Sequence, residues 1–169
     1  MGDDAEGPLS VAKLRDDRRI RRSRKGDFEL RIPEPEREVL RQLPDQLLEI
    51  HGSDDPVLER LYPAAYPEDA EQEREFRDMT HDDLRRQRED ALEVMRRTID
   101  AERLSEEQLL AWLSAINDAR LVLGLRLDVT EELDASRIAD DDPRAPMFGM
   151  YAYLTWLEEQ AVGALSASL

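Results

Sequence analysis

The sequence predicts a mainly α protein, a helical bundle with a small N-terminal β-hairpin. Apolar residues recur at helical spacing from residue 33 onward, whereas Phe28, Leu30 and Ile32 alternate with polar residues as in a half-buried strand. The chain has 169 residues, which suits one domain with a hydrophobic core that needs neither disulfides nor metal. We therefore predict a single domain over 1–169, with a disordered tail at about 1–10, a basic β-hairpin at 11–32 and the helical bundle at 33–165.

The hairpin segment carries the densest basic stretch of the chain. Its strands are predicted at Arg18–Arg22 and Phe28–Ile32, joined by residues 23–27. Residues 9–41 hold 11 basic and 7 acidic side chains, a balance of +4, although the whole chain has a net charge of −16. In one interpretation the arginines contact nucleic-acid phosphates, and in the other they bind the acidic remainder of the same chain. The candidate nucleic-acid contacts are Arg18, Arg19, Arg21, Arg22, Arg24 and Lys25.

The first helices are predicted from their proline, acidic and apolar positions. Pro33 and Pro35 suit the exit from a strand and the start of a helix, and Pro44 within the apolar stripe that follows predicts a kink or a break. Residues 55–63 are expected to form one or two helical turns, with Asp55 as the cap and Pro56 at the first helical position. A short polar helix is expected through Phe76 and Met79.

The remaining helices have clearer sequence signals. Thr80 is predicted to be the N-cap of a new helix, and Ser105 with Gln108 forms a capping-box signature. The helix over residues 109–127 is apolar on most sides, so we expect it to be central. A solvated loop at residues 140–143 precedes a final apolar helix.

Groups suited to catalysis or metal binding are scarce. The chain has no cysteine and no glycine-rich phosphate loop, which excludes a thiol nucleophile and a cysteine-ligated metal within it. Its two histidines, His51 and His81, are expected to be exposed residues near helix ends, and the paired Glu-x-x-His motifs of a di-iron bundle are absent. We therefore expect no enzymatic activity, no cofactor and no metal.

The sequence also indicates where the chain is located. Its acidic N-terminus lacks the apolar stretch of a signal peptide, and no segment approaches the length of a membrane span. The negative net charge predicts repulsion from anionic membranes. A cytoplasmic location without membrane contact is the resulting expectation.

A polar constellation interrupts the predicted central helix at Asn117, Asp118 and Arg120, with Gly124 shortly after it. Buried polar side chains must be hydrogen-bonded or they destabilise the fold. The constellation is therefore either an internal lock, with Arg120 paired to a carboxylate of a neighbouring helix, or a recognition network.

The final helix has more apolar side chains than one helix face can bury in a small bundle. Such an excess indicates either a partner surface or a helix at the centre of the bundle. The candidate partner surface consists of Phe148, Tyr151, Tyr153 and Trp156, and homodimerisation through this helix is one expectation.

Two segments resemble an actinobacterial domain-of-unknown-function family. The run from Trp112 to Leu127, followed by Val129-Thr130-Glu131, is similar to the family's signature helix. The stretch from Asp55 to Asp69, together with residues 75–80, is similar to its second characteristic segment. The family has no established enzymatic activity, its genes commonly lie beside that of the ClpS proteolytic adaptor, and some members bear the name of an oxidative-stress transcriptional regulator, AosR.

The resemblance implies a non-enzymatic regulatory module that binds another protein, such as a transcriptional regulator, a sigma factor or a component of a protease system. In some members the regulatory role is linked to a redox-active cysteine pair. Since this chain has no cysteine, any such role here works without a thiol switch. Two alternatives remain at this stage, namely nucleic-acid binding through the arginine strip and an adaptor role in Clp proteolysis.

Overall fold

The computed structural model describes residues 18–130 and 138–167, which form five helices and a three-stranded sheet. The predicted tail at 1–10 and the beginning of the predicted hairpin segment lie outside the described residues. In chain order the elements are β1 (Ile20–Arg22), β2 (Phe28–Leu30), α1 (Glu34–His51), α2 (Leu58–Leu61), α3 (Ala70–Thr98), β3 (Arg103–Leu104), α4 (Glu106–Arg126) and α5 (Ala145–Ser166). The mainly α class with a small N-terminal hairpin is confirmed.

The sheet is antiparallel in the order β1-β2-β3. Ile20 pairs with Leu30 and Arg22 with Phe28, as the predicted hairpin requires, although both strands are shorter than predicted. The turn uses Gly26 at a φ of +91°, a backbone conformation that favours glycine. Strand β3 was not predicted, because its two residues are too few to show an alternating pattern. The pairing of Leu104 with Phe28 holds this strand to β2.

Helix α1 runs from Glu34 to His51 without interruption, so the break considered at Pro44 is wrong. A proline inside a helix removes one hydrogen bond and costs about 3 kcal/mol or more. Residues on both sides of it, Leu40, Leu43 and Leu47, are buried in the same core, and Pro44 itself is buried. This shared burial outweighs the local cost.

Helix α3 is one helix of 29 residues, which corrects the predicted start at Thr80. Asp69 is the N-cap, and its carboxylate accepts hydrogen bonds from the backbone N–H groups of Glu71 and Gln72 at 3.1 and 3.0 Å. Thr80 instead lies within the helix and donates its hydroxyl to the Phe76 carbonyl at 2.7 Å. Threonine is a common N-cap residue, but here its hydroxyl bonds to the preceding turn, so it lies inside a continuous helix.

Helix α4 is the central helix, as predicted, and it packs against α3 on one side and α5 on the other. It begins with the predicted capping box, in which Ser105 and Gln108 exchange hydrogen bonds between side chain and backbone. Trp112 of this helix is fully buried, and its indole N–H donates to the hydroxyl of Thr98 at 2.8 Å. Helix α5 also packs against β1, so the sheet covers one end of the bundle.

Candidate functional site

An apolar groove of about 710 Å³ lies between α1 and α5, with α4 forming the remaining wall. Helices α1 and α5 are joined by a hydrogen bond from the Tyr153 hydroxyl to the carboxylate of Glu36, at 2.9 Å. Further along the two helices the groove is lined by Val39 to Ile50 of α1 and by the first turns of α5. The fold therefore leaves a concave surface where the first and last helices are not in contact.

The walls of the groove are mainly aliphatic and thioether side chains. Leu43 and Leu47 come from α1, Val122 from α4, and Met147 and Met150 from α5. The two methionines are half-buried at the rim. Methionine has flexible torsions and a polarizable sulfur, so it adapts to partners of different shape.

Polar groups surround this apolar lining. Gln42, Gln46 and Glu49 of α1 are exposed along one edge. At the far end Arg126 donates to the carboxylate of Asp55 at 3.0 Å. The backbone N–H of Val57 and this guanidinium hold the pKa of Asp55 below its usual value.

The predicted arginine strip is divided by the fold between core and surface. Arg18, Arg21, Arg24 and Lys25 are exposed, and the half-buried Arg22 lies over the ring of Phe28 at 5.4 Å. Arg19, a candidate phosphate contact, is buried, so the structure corrects its inclusion in that set.

Arg19 is instead the centre of a buried polar network. Its guanidinium donates to both carboxylate oxygens of Glu36 at 2.9 and 3.1 Å, and Glu36 also accepts the Tyr153 hydroxyl. Burial, and then the nearby Glu36 carboxylate, raise the pKa of Tyr153. This network joins the hairpin, α1 and α5, and for Arg19 it matches the interpretation in which hairpin arginines bind the chain's own acidic groups.

The predicted constellation on α4 makes contacts on two sides of the helix. Arg120 pairs with Glu158 of α5 and donates to the Thr155 hydroxyl at 3.0 Å, while Asp118 is fully buried and pairs with Arg88 of α3. Asn117 is half-buried beside Gly124 in a shallow surface depression. Arg120 and Asp118 thus cross-link α4 to both of its neighbouring helices.

The expectation that both histidines are exposed is wrong. His51 is 2% exposed; its Nδ1 lies 3.1 Å from the Tyr62 hydroxyl, and its Nε2 lies 3.9 Å from Asp118. His81 lies within α3, half-buried, with its ring stacked on that of Tyr62. No local sequence pattern indicates this cluster, because Tyr62 follows α2 and reaches both histidines only through the tertiary fold.

The predicted partner surface on α5 lies largely inside the protein. Phe148 and Tyr153 are buried in the core, and Tyr151 and Trp156 are half-buried. Tyr151 and Trp156 are covered by the guanidinium groups of Arg120 and Arg19, at 5.7 and 5.5 Å. Met147 and Met150 are half-buried as well and line the groove, and Val162 is the most exposed large apolar side chain of α5.

The described residues 18–130 and 138–167 contain no group of three or more histidine, aspartate or glutamate side chains placed to hold a metal ion. Among the helices in these same ranges, none has an apolar stretch of the length that crossing a membrane requires.

Comparison with known proteins confirms the resemblance predicted from the two sequence segments. Residues 17–165 match the model of a family described as a domain of unknown function, DUF2017. The chain is 32% identical over 135 residues to the oxidative stress regulator AosR of Mycobacterium tuberculosis and to the protein of the same name from Mycobacterium bovis. Each match covers 68% of this chain, and it spans about 60% of the length of these relatives. No solved structure matches the chain.

Proposed function

The chain belongs to the DUF2017 family, and from this premise we propose that it is a non-enzymatic regulatory protein that binds another protein in the groove between α1 and α5. The single observation that carries the proposal is the apolar groove itself, which is concave and rimmed by polar residues. Grooves of this form accept amphipathic helices, whose apolar side chains enter at a spacing of three to four residues. The relatives named as oxidative stress regulators support a regulatory role.

The proposed partner segment is an amphipathic helix whose apolar face is flanked by lysine or arginine. Aliphatic anchors fit the lining formed by Leu43, Leu47 and Val122. Basic flanks fit the exposed Glu49 at the rim, and they also fit a chain of net charge −16. Such complementarity accelerates association and rejects acidic competitors.

The contact is proposed to be independent of thiol chemistry, because the chain has no cysteine. The proposed partner therefore binds with the same affinity under oxidising and reducing conditions, unless the partner itself carries a redox-sensitive group.

The test is affinity capture from nuclease-treated lysate of the source cells, with the native protein compared to two matched variants. Met150→Arg places a positive charge in the groove, where it opposes both the apolar and the basic parts of the proposed partner. Met79→Arg introduces the same charge on α3 at a residue that is 79% exposed and outside the groove. Thermal unfolding of both variants establishes that each is folded.

We expect the native protein and Met79→Arg to capture the same partner and Met150→Arg to lose it. A peptide covering the bound segment then becomes helical on binding and has lysine or arginine beside its apolar face. The proposal fails if Met150→Arg captures the same protein as the native chain, or if the bound segment is acidic. Light scattering gives a further outcome. If it detects a dimer that Met150→Arg dissociates, the occupant of the groove is a second copy of this chain and not a partner helix.

Nucleic-acid binding is the alternative that the exposed part of the arginine strip favours. Arg18, Arg21, Arg24 and Lys25 present positive charge on the hairpin of an otherwise acidic protein. This alternative is supported if nuclease treatment abolishes capture. It also requires that Arg21→Ala weakens capture and that Met150→Arg leaves it unchanged. Each phosphate contact steepens the slope of the logarithm of the binding constant against the logarithm of the salt concentration by about one.

A further inference from the structure

A second concavity, distinct from the groove, lies between α3 and the segment that follows α2. Its volume is about 360 Å³. One wall consists of Phe76, Thr80 and Leu84, which share one face of α3 because they are four residues apart. The opposite wall is formed by residues 61–65. This cleft exists because α3 continues through residues 79 and 80 without a break.

Aromatic rings are concentrated around the cleft. The rings of Tyr62 and His81 are stacked, with centroids 5.1 Å apart and an angle of 23° between their planes. Phe76 meets Tyr66 edge to face at a centroid distance of 5.7 Å. The guanidinium of Arg88 also lies over the Tyr62 ring at 5.2 Å. A flat apolar ligand is therefore expected to meet the edges of these rings, where edge contacts add to the energy of burial.

The charged groups at the cleft are already paired within the chain. Arg77 donates to Glu73 at 3.1 Å, and the other carboxylate oxygen of Glu73 accepts the backbone N–H of Tyr66 at 2.7 Å. Arg88 pairs with the buried Asp118 and donates to the carbonyl of Leu61 at 3.0 Å. A charged ligand would have to compete with these pairs, whereas a neutral ligand would leave them intact.

One polar atom of the cleft residues lacks a partner. Nδ1 of His81 is buried and has no hydrogen-bond partner among the described residues. An imidazole nitrogen can donate or accept according to its tautomer. Because this nitrogen is buried, it is not accessible from the cleft, and a ligand would contact the histidine through the surface of its ring.

We propose that the cleft between α3 and residues 61–65 binds a small neutral aromatic molecule. The cleft volume lies within the range of small-molecule sites, and its mainly apolar walls are typical of them. The site does not depend on the proposed partner groove, because the two concavities have no lining residue in common.

The test uses 2-naphthol as the probe and follows backbone amide shifts of the full chain by NMR during a titration. We expect saturable shifts at residues 61–66 and 76–88, with a Kd on the order of 1 mM for a probe of this size. The anionic analogue of the same shape, 2-naphthoate, is expected to bind at least about fivefold more weakly because it must be desolvated without a free cation.

Three variants localise the site. Thr80→Trp fills the cleft and is expected to weaken 2-naphthol binding by about tenfold or more, a loss equivalent to about 1.4 kcal/mol. Met79→Trp is the matched control, because its neighbouring side chain is 79% exposed and does not line the cleft. His81→Phe keeps a flat ring at this position, so 2-naphthol binding is expected to change by less than about twofold.

The proposal is overturned if 2-naphthol gives no saturable shifts, if the shifts map elsewhere in the chain, or if Thr80→Trp and Met79→Trp bind alike. Tighter binding of 2-naphthoate overturns the assignment to a neutral ligand and makes Arg77 and Arg88 an anion site. If Thr80→Trp does not fold, shift mapping on the native chain decides the location. Met150→Arg retains 2-naphthol binding, so the outcome is independent of the partner groove.

Discussion

Replacing Glu36 by alanine is expected to destabilise the protein more than the loss of any surface ion pair. The carboxylate is buried and accepts three hydrogen bonds, two from Arg19 and one from the Tyr153 hydroxyl. Glu36→Ala removes the carboxylate that pairs with the guanidinium of Arg19, a side chain that is only 8% exposed. It also removes the acceptor of the fully buried Tyr153 hydroxyl.

The expected loss of stability follows from these contacts. Removing one member of a buried ion pair costs about 3–5 kcal/mol. We expect the free energy of unfolding to fall by about 4 kcal/mol and the Tm by about 10 °C for a domain of this length. Both quantities are measured by urea unfolding and by thermal unfolding followed by circular dichroism.

Glu34→Ala is the matched control for this prediction. Glu34 and Glu36 both lie in the first turn of α1, so both substitutions remove a charge that favours the helix N-terminus. Glu34 is 66% exposed and pairs with Arg41 at the surface, so its removal is expected to change the urea midpoint only slightly. Equal destabilisation by the two substitutions would refute the role assigned to the buried network.

A milder substitution keeps the test informative if Glu36→Ala does not fold. Tyr153→Phe removes one hydrogen bond and leaves the ion pair between Arg19 and Glu36 in place. Its expected cost is about 1 kcal/mol. A cost near zero for Tyr153→Phe, together with a folded and stable Glu36→Ala, would show that the network contributes little.

Three further substitutions test other parts of the structure. Asp69→Ala removes the N-cap of α3 and is expected to lower the free energy of unfolding in urea by about 1 kcal/mol. Thr80→Ala is expected to lower it by less than about 0.5 kcal/mol, because Thr80 is not a cap. The reverse order would support a helix start at Thr80. Gly124→Ala is expected to stabilise the protein by up to about 1 kcal/mol, since alanine is the better helix former and its added carbon would meet the Tyr151 ring at an ordinary contact distance of 3.4 Å; a lower Tm would show that this contact cannot relax. The pKa of Asp55 is lowered from 3.8, so its ionised form stabilises the fold above this pH, and the stabilisation is lost as the pH falls through the lower folded-state value. Asp55→Asn should therefore reduce the difference between urea midpoints measured at about pH 5 and about pH 3, and an unchanged difference would contradict the assignment.

Local sequence signals predicted much of the fold, because they describe interactions between residues close together in the chain. The capping box at Ser105 and Gln108 and the alternation at Phe28 and Leu30 are signals of this kind, and both predicted elements are present. Strand β3 could not be predicted in this way, since its two residues are ordered by pairing with a strand more than 70 residues earlier.

The wrong start for α3 has a related cause. Threonine caps helices because its hydroxyl can bond to the backbone, but the same hydroxyl can bond to the preceding turn within a helix. Only the earlier cap at Asp69 decides between the two, together with pairs such as Glu73 with Arg77 that support the polar part of the helix. The error concealed the cleft, because a break near Thr80 would separate Phe76 from Leu84.

The candidate partner residues on α5 show where the sequence could not separate buried from half-buried side chains. Helix α5 is apolar around most of its circumference, so its sequence does not determine which residues face the core. The aromatic residues Phe148 and Tyr153 have the largest apolar areas, and burying them inside the bundle gains the most free energy. Met147 and Met150 lose more side-chain entropy on full burial, and they remain half-buried in the lining of the groove. Tyr151 and Trp156 are half-buried as well, beneath the guanidinium groups of Arg120 and Arg19. The neighbouring elements, and not the sequence of the helix itself, therefore decide which of its apolar side chains stay partly open.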